Sequence, residues 1–150
     1  MRAGLAGRLL GPRPPPAAPS AAPVGRKEVA DQRCKHGCGA ELGRGDDWGE
    51  IYNPSGVRVD LAGYILSDDG GPTDSDAFHF PVGDAIDPGG FRVLCKIREF
   101  VYGIGGSDTV SLWDDRGKMV DTTGRLFKGG KPGNSYARAT DGDGAWGYTA

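Results

Sequence analysis

Two clusters in this 150-residue chain bring together residue types that could do chemistry. Cys34, His36 and Cys38 lie within five residues, and Asp68, Asp69, Asp74 and Asp76 within nine. The first suggests zinc. A structural zinc site takes four tetrahedral ligands, normally in pairs at recognisable spacings. Here three ligands are offered with no second pair downstream, and the distant candidates His79 and Cys95 fall inside expected strands. A local Cys34–Cys38 disulfide or two exposed thiols is therefore expected. The second cluster offers flexible oxygen ligands of the kind calcium prefers. Its spacing is not that of an EF-hand loop and no Glu closes it, so Asp68, Asp69, Asp74 and Asp76 are read as solvated turn residues. Glycoside hydrolysis needs two carboxylates held across a cleft, which a turn does not provide. Gly103-Ile104-Gly105-Gly106-Ser107 lacks the GK[ST] ending of a phosphate loop and leads into a strand, so it reads as a turn. Cys95 is expected in the core as a small hydrophobe. A lone cysteine with a histidine elsewhere does not argue a Cys–His enzyme. No catalytic residue, cofactor site or metal site is expected.

The elements that must position these residues are short strands. From Glu50 to Gly70, Ile51-Tyr52 precede a turn at Asn53-Pro54-Ser55-Gly56. There Pro54 fixes φ, Asn53 can bond its own backbone, and Gly56 is expected to accept positive φ. Val57, Val59 and Leu61 then alternate with Arg58, Asp60 and Ala62, the period of a half-buried strand. Gly63 interrupts the run, Tyr64-Ile65-Leu66 resumes it, and polar residues end it. Phe78-His79-Phe80 places His79 outward between two core aromatics. Phe91, Val93, Cys95 and Ile97 are expected to share a core face, with Arg92 and Lys96 opposite. Asp114-Asp115-Arg116-Gly117 reads as a hairpin loop. Ser135-Tyr136-Ala137-Arg138 reads as the last strand. The expected core comprises Leu61, Tyr64, Leu66, Phe80, Val93, Leu94, Val110, Leu112 and Val120.

Several of these pieces together resemble a family. Asn53-Pro54, Val59-Asp60-Leu61, Gly63-Tyr64 and Leu66-Ser67-Asp68-Asp69-Gly70 are similar to the opening of the lamin-tail domain. Phe78-His79-Phe80-Pro81 with Ile86-Asp87-Pro88-Gly89-Gly90-Phe91 resembles its middle, and Asp108 to Asp121 its next hairpin. Ser135-Tyr136-Ala137-Arg138 with Asp141-Gly142-Asp143-Gly144-Ala145-Trp146 resembles its end. The similarity covers roughly residues 46 to 147. It implies an all-β fold, an immunoglobulin-like β-sandwich, found in nuclear lamins and in many extracellular bacterial proteins. It also implies a non-catalytic protein-interaction or tethering module rather than an enzyme. The alternative is an accessory module of a larger extracellular or cell-surface enzyme. The chain has no coiled-coil heptads and so is not itself a lamin. The family suggests an extracellular or nuclear location. Family members usually open with a short Glu-Val-like strand, for which Glu28-Val29-Ala30-Asp31 can stand.

Composition fits this frame. Gly and Pro make up 27 and 11 of 150 residues, and the glycines sit as punctuation between hydrophobic runs. The formal net charge of −2 conceals an asymmetry. Residues 1–45 hold eight Lys/Arg and three Asp/Glu, net +5, whereas residues 46–150 hold ten and seventeen, net −7. An acidic domain is a poor match for a phosphate backbone, so nucleic acid is not an expected partner of the folded part. A protein or peptide partner, cationic by complementarity, is expected instead. Residues 1–25 are Pro/Ala-rich and acid-free with three arginines. They are expected to be disordered, with an organelle transit peptide as the alternative. Arg8 breaks the apolar centre that a secretory signal requires. Residues 26–45 form a linker or first strand, and residues 46–150 the sandwich. No apolar run is long enough for a transmembrane helix.

Overall fold

The computed structural model describes residues 20–25, 47–126 and 135–148. Every regular element among them is a strand. One sheet contains β1 (Ser20–Gly25), β2 (Trp48–Tyr52), β7 (Phe91–Cys95), β10 (Ser135–Thr140) and β11 (Asp143–Tyr148), in the order β11-β10-β1-β2-β7. A second contains β4 (Ile65–Ser67), β5 (Phe78–His79), β8 (Thr109–Trp113) and β9 (Met119–Arg125), in the order β5-β4-β8-β9. β3 (Val59–Asp60) and β6 (Ala85–Ile86) form a small ribbon beside them. All these pairings are antiparallel. The sheets share one core. Ile51, Leu94 and Tyr136 come from the first sheet, Leu66, Val110 and Leu112 from the second, and Leu61, Phe80, Phe100, Ile104 and Leu126 from connections. The chain is thus an all-β sandwich.

The Asn53 turn is the best-connected point of the frame. Asn53 is fully buried. Its Nδ2 donates to the carbonyls of Val57, Ile86 and Asp87 at 2.8, 2.9 and 3.2 Å. Its Oδ1 accepts from the Ser55 amide at 3.0 Å and from Ser55 Oγ at 2.6 Å. The Asn53 amide donates to the Gly90 carbonyl, and the Asn53 carbonyl accepts from Gly89. One amide side chain therefore joins the end of β2, the approach to β3 and the end of β6. Because the turn is built on side-chain bonds, Gly56 does not need the positive φ expected of it and does not take it. Gly63 does, at φ 80°, and a Cβ there would stand 3.2 Å from that of Asp115. Both conditions favour glycine.

Of the nine expected core residues, Leu61, Leu66, Phe80, Leu94, Val110 and Leu112 are buried, while Tyr64 and Val120 are half-buried against the same cluster. Val93 packs elsewhere, with Trp48 and Cys95 in a second small cluster. The expected face of β7 was therefore wrong in part. Leu94 carries the sandwich core. Phe91 is 47% exposed, and Ile97, beyond the strand, is 63% exposed. Both faces of β2 and β7 carry buried side chains, and in that situation period two does not identify the core. His79 is exposed, as expected, between Phe78 and Phe80, whose rings meet edge to face at 4.9 Å.

Two further expectations need correction. Ser20–Gly25, placed by sequence at the end of a disordered segment, forms a strand between β10 and β2. Its register shifts between Ala22 and Val24, so Pro23, which has no amide hydrogen to donate, sits at the irregularity, as proline in a sheet should. Ser135–Thr140 is not the last strand, since it turns back into β11. Residues Glu28–Asp31, the expected first strand, lie outside the described residues.

Candidate functional site

The acidic loop is organised by its backbone. Asp68 Oδ1 accepts from the Gly70 amide at 3.1 Å, and Asp74 Oδ1 from the Asp76 amide at 2.8 Å. Asp69 Oδ1 reaches across to the Thr109 amide at 2.7 Å and so fastens the loop to the first residue of β8. Asp76 is exposed. Three of the four carboxylates thus each take up an amide hydrogen, a use that turn-forming aspartates share. Among the described residues no three His, Cys, Asp or Glu side chains are close enough to hold a metal ion. Beneath the loop lies Tyr102. Burial, and then the charge of Asp68, push its phenol above the ordinary range, and its hydroxyl is buried without a hydrogen-bond partner.

Cys95 is fully buried, as expected, but it is not a free small hydrophobe: it is disulfide-bonded. The zinc candidates Cys34, His36 and Cys38, and the expected Cys34–Cys38 disulfide or pair of thiols, lie outside the described residues. Spacing gave no sign of the Cys95 bond, because no local window shows which cysteines a fold brings together.

A charged network stiffens the connection after β7. Glu99 accepts from the Cys95 amide at 2.6 Å and pairs with Arg98 at 2.7 Å and Arg92 at 3.6 Å. Arg92 also grips Asp84 through Nε at 2.9 Å and Nη2 at 3.0 Å. Burial lowers the Arg92 pKa, but the hydrogen bonds and charges of Asp84 and Glu99 outweigh it and leave the guanidinium more firmly protonated. Asp47 Oδ2 accepts from the Ile104 amide at 2.8 Å and stands 3.5 Å from Lys96 Nζ. Between these ties Ile97 is held at φ 75°, the one non-glycine residue at positive φ among those described. Each of these charges has an opposite within the chain, so the network holds the fold together.

The remaining candidate is an edge. β11 ends its sheet, and no described strand lies on its far side. Its register on β10 runs Tyr136↔Tyr148, Ala137↔Gly147 and Arg138↔Trp146. Toward the core its aromatics are well anchored. The Tyr136 and Trp146 rings stack at 5.8 Å and 1°, and the Arg138 guanidinium lies 4.7 Å from the centre of the Trp146 ring. Arg138 donates to the Gly144 carbonyl at 2.9 Å and pairs with Asp121 of β9, which ties the two sheets together. The turn between β10 and β11 is fixed from below: Gly142, at φ 76°, lies so close to the Tyr52 ring that a Cβ would stand 3.1 Å from it. Asp143, Gly144 and Ala145 are exposed.

The chain matches no protein-family model and no curated protein.

Proposed function

We propose that residues 46–150 act as a non-catalytic protein-interaction module of the lamin-tail type, which binds a protein or peptide partner. The observation that carries this reading is that β11 is the last described strand of its sheet, on a sandwich whose core is filled by packed side chains. An open edge offers main-chain donors and acceptors to an extended segment. Of the four carboxylates that could have suggested a metal or acid–base site, Asp68, Asp69 and Asp74 are engaged with backbone amides. The acidic balance of residues 46–150 favours a cationic partner.

A second reading, an accessory module of a larger extracellular enzyme, is favoured by the disulfide at Cys95. Disulfides persist in oxidising compartments, which also favours an extracellular over a nuclear setting. The mass of the native protein on an immunoblot separates the two readings. A species well above 15.7 kDa supports the enzyme-borne module.

The primary test is selection of binders to the purified chain from a random peptide display library, followed by calorimetric titration of the enriched peptides. The module reading expects one-to-one complexes that survive EDTA. A peptide cleaved or modified on incubation, or binding abolished by the chelator, would overturn it.

A further inference from the structure

We infer that the paired rings of Tyr52 and Phe91, with the acidic turn beside them, seat an arginine side chain of a partner protein. This rests on the interaction-module reading and names its site and ligand class.

Tyr52 and Phe91 stand opposite each other on β2 and β7. Ile51 and Leu94 of the same strands point into the main core, so alternation sends Tyr52 and Phe91 to the other face of the sheet. At one end of that face Trp48 and Cys95 are paired and buried. At the other end Tyr52 is half-buried and Phe91 is exposed. A single exposed apolar residue is ordinary. Here two rings are already set against each other, with centroids 4.8 Å apart and planes tilted by 33°. Gly142, at φ 76°, lies against the same Tyr52 ring, and a Cβ there would also stand 3.4 Å from that of Pro54. Tyr52 is thus held by Gly142 and by Phe91, and a ligand that meets the pair need not first order it.

Charge selects the ligand. Gly142 brings its neighbours to the ring, and both of them, Asp141 and Asp143, are exposed. Asp143 Oδ1 accepts the Gly144 amide at 2.6 Å. Before Phe91 in the chain, the exposed Asp87 is engaged by Arg58 at 3.0 Å, so the attraction comes from the Gly142 side. The face of an aromatic ring attracts a cation placed within about 6 Å of its centre. A guanidinium is planar and stacks on such a face while its fork meets carboxylates. The chain uses that combination internally, where Arg138 lies over the Trp146 ring and pairs with Asp121. Tyr52 and Phe91 with Asp141 and Asp143 offer rings and carboxylates in the same combination at the surface. A neutral sugar could stack on the rings as well, but the net charge of −7 on residues 46–150 draws a cation and is indifferent to a sugar.

The test uses the full chain, labelled with nitrogen-15, and three probes: a Gly/Ser peptide bearing arginines, the same peptide with citrulline for arginine, and the neutral oligosaccharide xylohexaose. The arginine peptide is expected to shift the amides of Tyr52, Phe91, Gly142 and Asp143. The citrulline peptide and the oligosaccharide are expected to leave them unchanged. Phe91→Leu, which keeps an apolar side chain without the ring, should weaken the arginine complex by about fivefold. Asp141→Asn with Asp143→Asn should weaken it by about as much, as should raising the salt until the Debye length is ~3 Å. All these replaced side chains are exposed, and the comparison of arginine with citrulline needs no variant at all. Equal binding of the two peptides, shifts caused by the oligosaccharide alone, or a Phe91→Leu chain that binds as tightly as wild type overturns this assignment. If library-selected peptides bind while these amides stay unmoved, the aromatic site falls and the module reading stands. If no peptide binds at all, both fall.

Discussion

Replacing Asn53 by alanine removes three donated and two accepted hydrogen bonds at once. At about 1 kcal/mol net for each bond, the upper figure is about 5 kcal/mol. Several partners are compensated, however. The Val57 carbonyl keeps its bond from Ser55 Oγ at 2.8 Å, and the Asp87 carbonyl keeps the Gly90 amide at 2.9 Å. Ser55 is half-buried and can turn to water. The Ile86 carbonyl meets Nδ2 in the one buried bond of the set. Losing its partner costs the desolvation penalty of that group, about 1–3 kcal/mol. The expected loss is thus about 3 kcal/mol, a large share of the ~5–15 kcal/mol available to a small domain. Asn53→Asp sharpens the test. It keeps the shape but points a carboxylate at three carbonyls. The charged form is disfavoured in the folded state, so the introduced group has a folded pKa above its unfolded value of about 3.9. Its penalty is therefore complete above the folded pKa and is relieved as pH falls through it, because the native state then binds the extra proton. Urea unfolding followed by tryptophan fluorescence at neutral and acid pH measures both variants. A loss below about 1 kcal/mol for Asn53→Ala, or an Asn53→Asp variant as stable as wild type at neutral pH, would refute the hub.

Leu61→Ala and Leu66→Ala remove side chains buried in the main core and should each cost about 2–5 kcal/mol in the same assay; a loss under about half a kcal/mol would put the residue outside the core. Tyr102 and Tyr64 have phenol pKa values raised mainly by burial. The stability this reflects is complete below about pH 10 and is lost as pH rises through the folded values, because the native state retains protons that the unfolded chain releases. Tyr102→Phe should flatten that alkaline decline and, since the lost hydroxyl has no partner, cost almost nothing at neutral pH. An unchanged alkaline midpoint would contradict this. Non-reducing peptide mapping should recover Cys95 joined to Cys34 or Cys38, and Cys95→Ser should cost about 2–5 kcal/mol. A peptide holding Cys34 bonded to Cys38 would disprove the pairing.

The sandwich was legible in sequence where local chemistry decides local shape. Asn53-Pro54, Gly63 and the Asp114–Gly117 hairpin each name their own turn, and in that hairpin Asp114 Oδ1 does accept from Arg116 and Lys118. Alternation placed Leu61, Leu66 and His79 on the correct sides. It failed at Phe91 and Ile97, which were expected on the core face and are exposed, because β7 is covered on its two faces, with Leu94 and Cys95 both buried, and only the long-range packing says so. Ser20–Gly25 contains one β-branched residue and a proline; its strand exists through neighbours that no local window contains. The same holds for the candidate site. Asp141 to Trp146 reads only as the end of the family pattern, and that Asp143–Tyr148 is a strand follows from its pairing with β10. The Cys95 disulfide was hidden likewise, since spacing does not say which cysteines a fold brings together.

The position of β1 also sets the order of events when the chain is made. Val24 pairs with Tyr136 and Gly25 with Ser135 on one side, while Ala21 pairs with Ile51 on the other. β1, the first of the described strands along the chain, is therefore a middle plank, and one of its two neighbours lies far downstream. Closing so distant a pair carries an entropic cost before any contact rewards it. Until Ser135 emerges, β1 has an open flank in the centre of the sheet, beside core residues that are already synthesised. A chain halted before Ser135 would carry β1 with its β2 side able to pair and its β10 side without its strand.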